Sequence, residues 1–331
     1  MEFELQTITE KTIREKTVNL KEALELYDLG KSKPFLLMAY ASEVRDYFKG
    51  KNISLCSIVN AKSGLCPENC KFCAQSAHYV TRAEVYPLMT KENILERAKE
   101  AKESGVGMFS IVTSGTRIEG EDEWKEIEEA IVGMVALGIK PCASIGMLDS
   151  ERAKRLKDVG LFRYHHNLET ARSNFDNICS THDYDDDIET VKNEKNAGLS
   201  VCSGGIIGLG ETMEQRIEMA FTLKELDVDS VPINILNPIE GTPLNSAEPL
   251  SPLEILITIA LYRFILPDKD IKLCGGKEKN LRQLLPFAIE AGCNSLMTGN
   301  YLTTLGRDAA KDIEMIIDLG YTVDMKNQIK P

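Results

Sequence analysis

Short apolar runs alternate with longer amphipathic ones from residue 53 onward, and this repeat leaves few ways to fold. The apolar runs are Ile53–Val59, Met108–Thr113, Lys140–Ile145, Phe162–Asn167, Ser200–Leu209, Ser230–Leu236, Ile271–Cys274 and Ser295–Thr298. Between them lie helix-period patterns at Glu92–Glu103, Trp124–Leu137, Ser150–Val159, Thr190–Ala197, Met213–Leu226, Pro252–Phe264, Leu281–Ala291 and Ala309–Leu319. Gly105, Gly138, Gly160, Gly198 and Gly292 sit where helix C-termini are expected. Strand–helix alternation repeated eight times predicts an α/β fold of the (β/α)8 TIM-barrel type, with an open doubly wound sheet as the alternative. Ahead of it, Leu20, Ala23, Leu24 and Leu26-Tyr27 form one apolar stripe, and Phe35, Leu36, Met38-Ala39, Val44 and Phe48 another. The expected organisation is a helical extension over residues 1–50, a barrel over 51–320 and a C-terminal tail over 321–331.

No apolar run approaches the ~18 residues of a transmembrane helix. Met1-Glu2-Phe3-Glu4 lacks the basic start and apolar core of a signal peptide, so a cytoplasmic protein is expected. A net charge of −12 argues against a nucleic-acid partner, because a phosphate backbone needs a basic face. Nine cysteines, an odd number, argue for reduced thiols used as metal ligands over a disulfide framework.

Cys66-Pro67-Glu68-Asn69-Cys70-Lys71-Phe72-Cys73 places three of those thiols at C-x3-C-x2-C spacing, in the long loop after the first strand. Three thiolates can hold a [4Fe–4S] cube and leave one iron open for chemistry, whereas an electron-transfer ferredoxin supplies a fourth. Zinc bound by the three cysteines and His78 is a competing reading, and three buried small residues the bland one. Cys56, Cys142, Cys202 and Cys274 lie on strands one, three, five and seven, and alternate barrel strands share interior layers. They are either a second metal centre or four core cysteines; Cys179 and Cys293 fall outside the pattern and are expected to be structural. Tyr164-His165-His166-Asn167 ends strand four and offers either ligand contacts or turn hydrogen bonds. Gly204-Gly205-Ile206-Ile207-Gly208-Leu209-Gly210-Glu211 fails as a dinucleotide fingerprint, but its glycines admit close approach of a ligand to backbone. Asn234 is a satisfied core amide or a substrate contact; Thr303-Thr304 is a simple loop or a carboxylate site.

Taken together, these residues resemble the radical S-adenosylmethionine superfamily and, within it, the biotin synthase family, from about residue 50 to 320. The resemblance is carried by Cys66–Ser76, by Val201-Cys202-Ser203-Gly204-Gly205-Ile206-Ile207-Gly208-Leu209-Gly210-Glu211-Thr212 and by Ser230-Val231-Pro232-Ile233-Asn234. It implies a [4Fe–4S] cluster on Cys66, Cys70 and Cys73 that chelates and cleaves S-adenosylmethionine. The resulting 5′-deoxyadenosyl radical abstracts hydrogen from dethiobiotin, and a second cluster inside the barrel supplies sulfur. By position, Phe72 faces the adenine, and Asn167 and Glu169 meet the ribose and substrate region. Asn234 meets the ureido ring, and Thr303 and Thr304 the substrate carboxylate. An external electron donor of flavodoxin or ferredoxin type and a homodimer are implied as well.

The chain departs from the family pattern at Ser110, Lys272, His165 and Asp187, where many members carry a cysteine, an arginine ligand, an asparagine and an arginine near the S-adenosylmethionine carboxylate. Cys274 is two residues beyond Lys272, on the same strand face. The expected auxiliary cluster is therefore all-cysteine, held by Cys56, Cys142, Cys202 and Cys274, with four irons; a [2Fe–2S] form is the alternative. Two other functions compete: a lipoyl-type sulfur insertion or maturase activity, and a zinc-stabilised binding protein.

Overall fold

Ten parallel-pairing strands form the sheet of the computed structural model, which describes residues 2–323. They are β1 (Asn52–Lys62), β2 (Met108–Thr113), β3 (Lys140–Ser144), β4 (Arg163–His165), β5 (Ser200–Cys202), β6 (Gly205–Ile207), β7 (Ser230–Ile235), β8 (Asp270–Leu273), β9 (Ser295–Met297) and β10 (Thr322–Val323). Hydrogen-bonded order runs β1-β2-β3-β4-β5-β7-β8-β9, and β9 returns to pair with β1. The sheet is thus a closed barrel, not an open doubly wound sheet. β5 and β6 are two halves of one stave: the single strand expected over Ser200–Leu209 breaks at Ser203-Gly204. An added Cβ on Gly204 would lie 2.1 Å from the Pro232 carbonyl oxygen, and one on Gly205 2.4 Å from that of Glu169. The close approach these glycines permit is between strands of the chain itself, a correction to the ligand role expected of them.

Elsewhere the register runs on, with one shift between Asn60 and Lys62 at the end of β1. Cys56 pairs with Met108, Ser110 with Cys142, Cys142 with Arg163, His165 with Cys202, and Pro232 with Lys272. Side chains alternate across a strand, so these pairings place Cys56, Ser110, Cys142, Arg163, His165, Cys202 and Lys272 on the interior face. Cys274 falls just past β8, yet its N–H still donates to the Ile233 carbonyl at 2.9 Å and holds the register.

The helices lie outside the barrel. Trp124 and Ile127, on the helix Glu121–Ala136, pack with Ile94, Ala98, Phe109 and Leu156 around the first half. Burying each such side chain contributes roughly 1.5–3 kcal/mol. The helix Pro252–Ile265 is mostly apolar and buried from Ile255 to Ile265, with Thr258 and Arg263 among its buried residues. The N-terminal extension consists of α1 (Glu2–Glu15), α2 (Leu20–Ser32) and α3 (Pro34–Lys49); α2 and α3 cover this helix, and α1 packs on α3. Gly30 gives room for Leu37 and Ile257. A helix expected from Thr190 starts at Tyr184, with Asp183 and Asp186 forming a capping box. The helix expected over Leu281–Ala291 is broken into Lys277–Leu281, a 3₁₀ turn and Phe287–Glu290, because Arg282 takes φ 52° and Pro286 supplies no N–H. β10 adds the start of the expected tail to the edge of β1; residues 324–331 lie outside the described residues. No described helix is long and apolar enough to cross a membrane.

Candidate active site at the barrel mouth

The cysteine loop leaves the C-terminal end of β1 and folds over the mouth. Cys66 N–H donates to the Gln75 carbonyl at 3.0 Å, Ala77 N–H to that of Cys66 at 2.8 Å, and Cys73 N–H to that of Cys70 at 2.9 Å. These bonds close the loop on itself. Lys71 N–H reaches the Ile178 carbonyl at 3.0 Å, and the Asn69 amide donates to Ser180 Oγ at 2.8 Å, so the segment after β4 clamps it. Cys66, Cys70 and Cys73 are half-buried, and the last two line the central pocket. Burial pushes the Cys66 thiol up and that of Cys73 up to about 11. Iron binding would have to deprotonate them, as metals do to coordinating thiols. His78, expected as a zinc ligand in the competing reading, instead brings Nε2 within 2.9 Å of the Pro67 carbonyl oxygen on the exposed side.

Against this loop stands a charged network that sequence reasoning missed. His182 Nδ1 lies 2.7 Å from Glu68 Oε2, and its Nε2 lies 3.5 Å from Asp187 Oδ2. His166 Nε2 meets the other Asp187 oxygen at 2.8 Å. Burial opposes a charged His182, but Asp187, Cys179 and Glu68 outweigh it and hold the imidazolium up to about 11. Asp187 is itself buried, which favours its neutral form, yet the two histidines keep its carboxyl below the usual range. Cys179, expected to be structural, belongs here: its Sγ is 3.7 Å from Cys70 Sγ and 3.4 Å from His182 Nδ1. Glu68, Cys179 and His182 bring ligand atoms within 4.8 Å of one another. The sequence trace of this cluster was local, Cys179-x-x-His182 with Asp187 a few residues on; Glu68 is remote from it along the chain.

Below the loop is a cavity of about 440 Å³. It is lined by Phe72, Asn167, Glu169, Asn234, Thr303 and Thr304, so the structure gathers every residue expected to contact cofactor or substrate. Phe72 packs with Ile178, Leu209 and Leu236. Glu169 takes φ 60°, and its carbonyl accepts Ile206 N–H at 2.8 Å, which turns its carboxyl inward. Burial, with Asp187 nearby, lifts that carboxyl to about 8. The Asn234 amide is already partnered: it donates to the Gly205 carbonyl at 3.3 Å and accepts Gly275 N–H at 3.0 Å. Thr303 and Thr304 form a turn at the rim beside Tyr301, whose N–H donates to the Thr304 carbonyl at 3.0 Å. Among the described residues no lysine or arginine lines the cavity; its cationic candidates are His165, His166 and His182. Burial first, then Lys272 and Arg163, hold His165 neutral, well below its ordinary value.

The interior thiols lie toward the floor. Cys56, Cys142, Cys202 and Cys274 are all at most 3% exposed. Burial raises Cys142 to about 12 and lifts Cys202 and Cys274 as well; Cys56 and Cys202 raise both Cys142 and Cys274 further. The register sets them on one interior face of the barrel. Lys272 sits among them, fully buried, and its Nζ has no hydrogen-bond partner; Ser110 Oγ has none either. Orphaned polar atoms in a ring of thiols fit a group that brings its own negative charge and acceptors.

The family profile of the radical SAM superfamily matches residues 62–223, and that of the Biotin and Thiamin Synthesis associated domain matches 232–322. The chain is 52% identical to biotin synthase of Geobacter sulfurreducens over 323 residues, covering 97% of this chain and 98% of that one. It is 51% identical to biotin synthase of Pelotomaculum thermopropionicum, covering 92% and 95%. In fold it is similar to methylornithine synthase, with a TM-score of 0.82 at 21% identity, covering 96% and 97% of the two chains. It is also similar to HydG, a maturase of the [FeFe]-hydrogenase, with a TM-score of 0.80 at 17% identity, covering 98% and 76%. Half-identity over nearly the whole length decides between the competing functions, and the chain belongs to the biotin synthase family.

Proposed function

We propose that this enzyme inserts sulfur into dethiobiotin to form biotin, using S-adenosylmethionine at the barrel mouth and an all-cysteine auxiliary centre at the floor. The observation that carries the reading is the stacking of two thiol sets along one barrel: three on the mouth loop, four on the interior face, with the cavity between. When bound, the mouth cluster supplies the electron that cleaves S-adenosylmethionine, and the floor centre supplies the sulfur.

The chain's own residues bind, orient and exclude water. Cys66, Cys70 and Cys73 hold the [4Fe–4S] group. Phe72 offers its ring to the adenine, and Asn167 and Glu169 offer hydrogen bonds to the ribose. A buried Glu169 carboxyl with its value lifted to about 8 can donate as well as accept. His182, held charged between Glu68 and Asp187, takes the S-adenosylmethionine carboxylate, the role left open when Asp187 was found in place of an arginine. Asn234 keeps one amide hydrogen for the ureido ring of dethiobiotin, and Thr303 and Thr304 at the rim receive its carboxylate. Cys56, Cys142, Cys202 and Cys274 hold the auxiliary cluster, with four irons expected from four soft ligands. An external one-electron donor of flavodoxin or ferredoxin type would reach the mouth cluster.

The lipoyl-type and maturase alternatives give way to the family relationship; the HydG likeness is one of fold. The test separates the two centres. Cys66→Ala, Cys70→Ala or Cys73→Ala is expected to lower 5′-deoxyadenosine formation at least ~1,000-fold while the auxiliary iron stays, because each thiolate is a direct ligand. A variant that still forms 5′-deoxyadenosine at the parent rate contradicts the assignment.

A further inference from the structure

Lys272 is an oddity that four cysteine ligands leave unexplained. It lies on β8 with no solvent exposure, its Nζ has no hydrogen-bond partner, and the register sets it on the interior face that carries Cys56, Cys142 and Cys202. The other interior cation is committed: Arg163 donates to Ser200 Oγ at 2.9 Å and pairs with Asp270 at 3.4 Å. The Ser110 hydroxyl, one strand-pair from Cys142, is orphaned as well. An uncompensated ammonium in a barrel core is costly, and chains do not carry one without a partner. A four-iron cube on four thiolates carries about two net negative charges and bare sulfides that accept hydrogen bonds.

We propose that Lys272 is the electrostatic clamp of the auxiliary cluster: a positioning residue whose ammonium donates to the cluster's sulfur atoms, offsets its charge and keeps it in the barrel. An ammonium has no lone pair, so Lys272 does not ligate iron, and Cys274 supplies the strand's thiolate instead. By the same geometry Lys272 raises the reduction potential of the centre, because a fixed positive charge favours the more negative, reduced form. This rests on the four-cysteine reading above, and the experiment separates the two.

In a Cys66→Ala/Cys70→Ala/Cys73→Ala background all cluster iron belongs to the floor. Lys272→Met and Lys272→Arg are reconstituted anaerobically in that background. Iron and acid-labile sulfide, the rate of iron loss to a chelator, the midpoint potential, and the melting temperature of the cluster-free chain are then measured. Lys272→Met is expected to melt no lower than the parent when cluster-free, since an unpaired charge has gone. Loaded, it should lose iron about ten-fold faster and show a more negative potential, and Lys272→Arg should restore both. Parent-like iron retention and potential in Lys272→Met overturn the proposal. So does a fall in the cluster-free melting temperature, which would make Lys272 a structural residue. Cys142→Ala in the same background tests the four-cysteine reading on its own: retention of the parent's iron there sinks that reading whatever Lys272 does.

Discussion

His182 gains its role from one neighbour far away in sequence and one a few residues further along the chain. Glu68 comes from the cysteine loop and Asp187 from the helix Tyr184–Asn196, and together they hold a charged imidazole over the cavity. In the proposed role, removing it leaves the S-adenosylmethionine carboxylate without its cation. His182→Ala is therefore expected to weaken S-adenosylmethionine binding by about 1.5–3 kcal/mol, roughly ten- to a hundred-fold, the range for hydrogen bonds to charged groups. Dethiobiotin affinity should stay near the parent value. Calorimetric titration of the reconstituted protein checks this, and equal losses for both ligands would remove His182 from the cofactor's side. The contrast with the cysteines shows what was legible. Cys66, Cys70 and Cys73 lie within one short loop, so their spacing alone raised the cluster reading beside the zinc one. The Glu68–His182 pair and the Cys70–Cys179 contact are assembled by folding from distant stretches, and the local Cys179-x-x-His182 spacing does not show them. Asn234 was legible as a polar group on an interior strand face, but the two backbone groups that already engage its amide were not.

At the scale of elements, period and punctuation located the staves and most outer helices to within a few residues. The misses have physical causes. The Tyr184–Asn196 helix begins with Asp185, Asp186 and Asp187, which hide its apolar face, although Tyr184 and Asp187 are both buried. The β5–β6 stave reads as one apolar run, but carbonyls from Pro232 and Glu169 crowd it at Gly204 and Gly205. Gly205→Ala would force its methyl against the Glu169 carbonyl and the Met219 sulfur, 2.9 Å away. We expect a loss of about 1–3 kcal/mol, typical of overpacking, together with lowered activity as Glu169 shifts. Chemical denaturation of the cluster-free chain measures the first; an unchanged midpoint contradicts the packing argument. A second element-level tie joins the extension to the barrel. Asp270 on β8 receives Lys49 from the end of α3 at 2.7 Å and the Asn294 amide at 2.9 Å, with Arg163 beside it. Burial opposes its charge, but these partners win and hold its carboxyl at about 2 against an ordinary 3.8. Its folded value is depressed, so its contribution is complete above about pH 4 and fades as pH falls toward 2. That contribution is about 2 kcal/mol. Asp270→Asn should lose this amount at neutral pH and show a flatter acid limb between pH 4 and 2 in unfolding titrations. An acid limb identical to the parent's would mean that Asp270 does not carry this linkage.

At the scale of the whole molecule, two family profiles share one closed barrel. The first stops at residue 223 and the second begins at 232, with β7, β8 and β9 in the second; β9 then pairs with β1 and seals the ring. That closure puts the mouth loop of β1 opposite Asn234 and Thr303, and it encircles the floor thiols with backbone on every side. Barrel closure itself was readable only as a count of alternations; the depth relation between the two thiol sets needed the register. The account claims that the floor thiols serve sulfur donation and not radical generation. The most direct measurement is anaerobic turnover of reconstituted parent and Cys274→Ala with dethiobiotin, S-adenosylmethionine and a reductant, with biotin and 5′-deoxyadenosine read by mass spectrometry. The account predicts both products from the parent, and 5′-deoxyadenosine without biotin, with auxiliary iron lost, from Cys274→Ala. Parent-level biotin and an undiminished iron count in that variant would contradict it.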